Sequence, residues 1–92
     1  MKCTHDGKRY DSRNCETLAE KDAYNNGNYA GTTYVERASD GTLLIRVTSN
    51  GQDLWRQSSF FVPNGEIDWS EYELTDEQEA RCVELGFIQI VP

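Results

Sequence analysis

Long apolar runs are missing from this 92-residue chain; the longest are Leu43-Leu44-Ile45 and Phe60-Phe61-Val62. A membrane-spanning helix needs about 20 apolar residues in succession, so none is expected. The opening Met1-Lys2-Cys3-Thr4-His5-Asp6-Gly7 turns polar at once and lacks the apolar stretch of a secretory signal, which makes the cytoplasm the expected compartment. Two prolines and seven glycines exclude collagen-like and proline-rich classes. A single histidine, His5, stands near the terminus in a His-Asp-Gly turn, a poor place for the oriented base of a catalytic triad. The glycine patterns that cradle phosphates are absent as well. Cysteines number three, an odd count, and without an export signal they are expected reduced. Cys3, His5 and Cys15 lack the paired C-x-x-C spacing of structural zinc sites, so no metal and no cofactor is expected.

Basic residues are scarce in one place only. From Met1 to Pro63 eight acids face eight bases; from Asn64 to Pro92 eight acids face Arg81 alone, so the entire net charge of −7 falls in the last third. A field of one sign repels nucleic acid and anionic membrane and attracts basic surfaces. The expected partner is a protein with a basic surface, with no direct nucleic-acid or membrane contact. Glycosidase-type catalysis needs one carboxyl in an apolar pocket, and these acids read as solvated, so an enzyme is not expected.

What is present suffices for one domain over residues 1–92: at 37% hydrophobic and 11% aromatic, the chain is too rich in core formers for a disordered tail. Gly7–Asp11 reads as a turn and a short strand. Asp11 or Ser12 can cap a helix over residues 13–24, with Cys15, Leu18, Ala19 and Asp22 on one stripe and Asn25-Asn26-Gly27-Asn28 as its stop. The middle reads as three strands, residues 32–38, 42–48 and 53–62, joined by Asp40-Gly41 and Asn50-Gly51, preferred dipeptides of two-residue turns. That register sets Glu36 opposite Ile45, Ile45 opposite Arg56 and Arg46 opposite Trp55. One face then carries Tyr34, Glu36, Ala38, Leu43, Ile45, Val47, Leu54 and Arg56 as the core. The other carries Val35, Leu44, Arg46 and Trp55, half apolar. Thr75–Leu85 reads as a capped helix: Thr75 and Gln78 form a capping box, the first turn is acidic, Glu77 and Arg81 pair at i, i+4, and Gly86 ends it. Cys82 falls on its apolar stripe and reads as a small buried hydrophobe. Phe87–Val91 reads as a final strand. The expected architecture is α+β: an antiparallel meander sheet of three to five strands with two helices packed on one face.

The sharpest local feature is the aromatic-acidic stretch after Pro63. Glu66, Asp68, Glu71, Glu73, Asp76, Glu77 and Glu84 supply carboxylates, and Trp69 or Tyr72 an anchor, for a basic partner. Ile67 and Trp69 are expected to close the core beneath them. A second reading makes the chain an interaction or homodimeric assembly module that uses the Val35, Leu44, Arg46 and Trp55 face.

The order of signals resembles a known group. Gly7-Lys8-Arg9-Tyr10-Asp11, then Asn26-Gly27-Asn28-Tyr29, then Tyr34-Val35-Glu36-Arg37 with Asp40-Gly41, then an acidic capped helix, is similar to small proteins of phages and mobile elements. Members often begin G-K-x-Y-D-[TS]. The chain departs from the pattern at Cys15-Glu16 and at Trp55-Arg56. Small acidic proteins of such elements include inhibitors of host-defence nucleases, anti-CRISPR proteins among them. The resemblance implies a non-enzymatic inhibitor working in the host cytoplasm, with a CRISPR effector complex as a partner and nucleic-acid mimicry as its means.

Overall fold

The computed structural model describes residues 1–51 and 57–92. Strands β1 (Lys2–His5) and β2 (Lys8–Asp11) form a hairpin about Asp6-Gly7, whose φ angles of 51° and 76° are those of a type I′ turn. The Asp11 carboxylate accepts from the Arg13 backbone N–H and caps a single 3-10 turn, Ser12–Asn14. The capping signal is therefore real, but no α-helix follows it.

Residues 13–24, expected as a helix, instead supply β3 (Glu16–Asn25), which pairs along its whole length with β4 (Asn28–Arg37). Two local facts explain the difference. The register shifts between Thr17 and Ala19, so Leu18 is an extra residue and both Leu18 and Ala19 are buried. Two adjacent buried residues break the strict alternation of a strand and mimic a helical stripe. Asn26-Gly27, with φ of 53° and 81°, is a type I′ hairpin turn rather than a helix stop.

β4 continues into β5 (Leu43–Val47), but one residue away from the expected register: Glu36 faces Leu44, Val35 faces Ile45 and Tyr34 faces Arg46. The connection is a residue longer than a two-residue turn. Gly41 N–H donates to the Ala38 carbonyl and Ala38 N–H to the Thr42 carbonyl, while Gly41 alone of the pair Asp40-Gly41 has positive φ, at 90°. A one-residue slip exchanges the two faces of one strand relative to the other. Accordingly Val35 and Ile45 share one face, while Glu36, Leu44 and Arg46 share the opposite one. β6 (Ser59–Phe61) pairs as Ile45 with Phe61, Arg46 with Phe60 and Val47 with Ser59. This also replaces the expected pairing, because the connection from Asn50-Gly51 is longer than two residues. Leu54, Trp55 and Arg56 lie outside the described residues.

The sheet order is β3-β4-β5-β6, wholly antiparallel. Strand residues alternate between faces, and both faces are covered. On the first, Ala38, Leu44 and Phe60 pack with Tyr10 of the N-terminal hairpin and with Cys3, Cys15 and Val62. On the second, Ala19, Val35 and Ile45 pack with Ile67, Trp69, Tyr72 and Leu74.

The chain returns through a 3-10 turn, Trp69–Glu71, to α1 (Asp76–Glu84), the single α-helix among the described residues rather than the second of two. Thr75 Oγ1 accepts from Gln78 N–H at 3.1 Å and Gln78 Oε1 from Thr75 N–H at 3.0 Å, the expected capping box. Gly86 N–H donates to Val83 and Phe87 N–H to Cys82, so a Schellman motif ends the helix. Residues 87–91 do not form the expected strand: Phe87 and Ile88 turn back onto the Cys82 carbonyl, and Phe87 stacks on Trp69. Cys82 is fully buried beside the Leu18 carbonyl, as its place on the stripe predicts.

Candidate functional site

Two short alternating stretches, on either side of the 3-10 turn, explain how residues 66–74 lie on the sheet. Ile67, Trp69, Tyr72 and Leu74 turn inward onto Ala19, Val35 and Ile45; Glu66, Asp68, Glu71 and Glu73 remain exposed between them. Three contacts stitch the segment down. Glu73 N–H donates to the Glu20 carbonyl at 3.0 Å, Lys21 Nζ meets Glu71 Oε2 at 3.0 Å, and the same ammonium sits 4.7 Å from the centre of the Tyr72 ring. Trp69 stacks on Phe87 at 5.3 Å between centroids. Burial raises the Tyr72 hydroxyl pKa against the opposing pull of Lys21. The two rings proposed as anchors are thus half-buried closures of the second face, and the carboxylates form the outer surface over them.

That surface continues onto α1. Asp76, Glu77, Glu79 and Glu84 are all exposed. Few of the acids are neutralised: Glu71 pairs with Lys21, and Glu84 with Arg81 at 3.1 Å. Asp68 caps the 3-10 turn through Ser70 N–H and Ser70 Oγ. Glu66, Glu73, Asp76, Glu77 and Glu79 have no ion-pair partner among the described residues. Arg81, expected to pair with Glu77, reaches instead to Glu16 on β3, at 2.8 Å from Nε and 3.2 Å from Nη2. This fork holds the Glu16 carboxyl below its usual range and pins α1 across the sheet edge. The one base of the last third is therefore spent on a structural contact.

The alternative face is not a surface. Val35 and Leu44 are fully buried on opposite faces of the sheet, each inside a different core cluster. Arg46 stands opposite Phe60 and lies 3.8 Å from the centroid of Tyr34; Trp55, its expected partner, is outside the described residues. Arg46 also donates from Nε to Glu36 Oε1 at 2.6 Å. Glu36 is only 1% exposed, and its other oxygen accepts from Thr17 Oγ1 at 2.7 Å. The expected register set Glu36 opposite Ile45, with Arg56 on the far side of it; in the observed register Glu36 stands opposite Leu44 and Arg46 is its diagonal neighbour.

A second contact missed by sequence reading joins the hairpin to the sheet. Tyr10 Oη donates to Asp40 Oδ2 at 2.9 Å and lies 3.1 Å from Thr42 Oγ1, while Asp40 Oδ1 accepts from Thr42 N–H at 3.0 Å. These bonds lower the Asp40 pKa to about 2. Burial raises the pKa of Cys15 and Cys82, keeping both thiols protonated and weakly nucleophilic at neutral pH. His5 is exposed beside Asp6 at 3.3 Å. Among the described residues no three His, Cys, Asp or Glu side chains gather as a cation site, and no helix is long and apolar enough to cross a membrane.

A cleft of about 530 Å3 adjoins the acidic surface between the start of β5, the chain after Pro63 and the end of α1, lined in part by Leu43, Ile67, Trp69 and Phe87, with Glu66 at its wall. Compared with known proteins, the chain matches no family model, no curated protein and no solved structure.

Proposed function

We propose that this protein acts by binding, as a stoichiometric inhibitor that lays its acidic last third on a basic, nucleic-acid-binding surface of a host-defence nuclease complex, in the manner of an anti-CRISPR protein. One observation carries the reading. All eight acids of residues 64–92 are exposed, while the apolar side chains between them face the core and Arg81 is drawn off to Glu16. Only Glu71 and Glu84 meet a base, Lys21 and Arg81, and the other six carboxylates face solvent with no ion pair among the described residues. Such a surface meets Arg and Lys through charge-assisted contacts, speeds encounter with cationic channels, and competes there with phosphate backbones. The resemblance to small phage and mobile-element proteins gives that channel its proposed owner.

The test reverses charge at three exposed carboxylates. Changing Glu73, Glu77 and Glu79 to Lys takes the net charge from −7 to −1 and disturbs no ion pair among the described residues. The variant should fold, by circular dichroism, and lose affinity for the effector complex by orders of magnitude. Lys2→Glu, at the far end of the sequence, should bind as well as the parent. Capture of the complex should also weaken steeply when salt is raised to about 0.5 M, where screening cuts off exposed charges within a few ångströms. Wild-type affinity in the folded triple variant would refute the acidic-surface reading.

A further inference from the structure

The cleft beside the acidic surface has a composition that selects its guest. At about 530 Å3 it falls among the volumes of about 300–1,000 Å3 common for ligand clefts. Its walls are mixed: Leu43, Val62, Ile67 and the stacked pair Trp69 and Phe87 supply apolar surface, and Thr42 and the backbone at Gly65 and Gly86 supply polar surface. Among the described residues Glu66 is the single charged side chain lining it, and none of their ion pairs engages that carboxylate. A cleft bordered by a stacked aromatic pair, with one free anion at its wall, suits a flat cation on an apolar stem. A guanidinium is planar, weakly hydrated and able to stack on rings while donating a fork of hydrogen bonds to a carboxylate; an ammonium keeps its water more tightly and has no plane to stack.

We infer that this cleft is an arginine socket: it takes one Arg side chain of the protein partner, whose stem packs between Leu43 and Ile67 and whose guanidinium reaches the Trp69–Phe87 pair and Glu66. The inference rests on the acidic-surface reading for the basic character of the partner, and it adds a fixed point to it. A row of solvated carboxylates supplies steering without register; a socket for one side chain supplies register.

Small probes separate the socket from the partner. Acetyl-Gly-Arg-Gly-amide, titrated into the isotope-labelled protein, should give saturable NMR shifts at the Trp69 indole N–H and at the amides of Glu66, Ile67, Gly86 and Phe87. The isosteric but neutral citrulline peptide should bind at least fivefold more weakly, and Glu66→Gln should weaken the arginine peptide about five- to tenfold. Glu66 is exposed, so this variant leaves the core untouched. Equal binding of the citrulline or a norleucine peptide would overturn the inference in favour of a plain apolar groove. Shifts spread along residues 73–84 with the Trp69 indole unmoved would overturn it in favour of diffuse attraction to the acids. Because these probes contain no partner protein, their failure leaves the charge-reversal experiment above to decide the acidic-surface reading separately.

Discussion

The two faces of the four-stranded sheet are closed by different covers. The first is covered by the N-terminal hairpin, which packs through Tyr10 and Cys3 and is tied to the sheet by the Tyr10–Asp40 bond, and the same face holds a buried polar cluster between its own strands, Glu36 with Arg46 and Thr17. The second is covered by a single strip of chain that alternates apolar side chains inward with carboxylates outward. Polar fastening is directional and fixes how one element sits on another. The strip adds to its apolar area only the Glu73–Glu20 backbone bond and the contacts of Lys21, and the rest of its outer row is left for solvent or a partner. The same sheet thus has one face organised inwardly and another whose cover doubles as a display.

The largest effect should come from breaking the polar face. Arg46→Ala strands the Glu36 carboxylate, 1% exposed, without its cation, and should cost about 3–5 kcal/mol in urea unfolding. A loss below about 1 kcal/mol would mean that Glu36 is hydrated and the faces are less different than described. Next comes the strip. Trp69→Ala removes a half-buried ring from the second face and from its stack with Phe87; about 2–3 kcal/mol is expected, below the range for a fully buried tryptophan. An unchanged melting temperature would show that the strip is held by its backbone bond to Glu20 and not by its rings.

The smallest effect sharpens the comparison through pH. Asp40 has its folded pKa lowered from 3.8 to about 2, so between these values the unfolded state binds more protons than the folded one. The stabilisation is fully present above about pH 4 and is lost as pH falls through about 2. Asp40→Asn cannot titrate, so its melting temperature should fall less steeply than wild type over that window. Asp11 and Glu16 are lowered in the same direction, by Arg13 and Arg81, and keep the slope from vanishing. Parallel curves for wild type and variant would remove Asp40 as the fastening of the hairpin.

Much of this was legible in the sequence where the signal is local. The capping box of Thr75 and Gln78, Gly86 after the helix, the acids of its first turn and strands β4 and β5 all follow from side chains acting on their own backbone or from β-branched runs. What failed depended on partners distant in the chain. The alanines, leucine, lysine and glutamates of residues 16–23 favour a helix in isolation, and ten-residue pairing with β4 overrides that preference. Asp40-Gly41 serves equally in a two-residue turn or as the end of a three-residue loop, and the choice moves every cross-strand neighbour by one. With the register went the alternative interface and the Glu36–Arg46 pair. The acids needed no register: eight carboxylates against one arginine read as exposed from composition alone, and all eight are exposed. The cleft beside them was not legible, since Leu43, Ile67, Trp69 and Phe87 meet only after the chain has folded back.

The strictly sequential order β3-β4-β5-β6 also sets a schedule. Every strand of the sheet pairs with the one made just before it, so each hairpin closes a short loop and the early loss of chain entropy is small. The sheet can zip in the order in which it is synthesised. Its second face, however, is covered by residues 67–74, the last to emerge before the helix. A chain cut after β6 would keep every strand and leave Val35 and Ile45 open to water, so the acidic strip both covers that side and sets a layer of like charge between one molecule and the next.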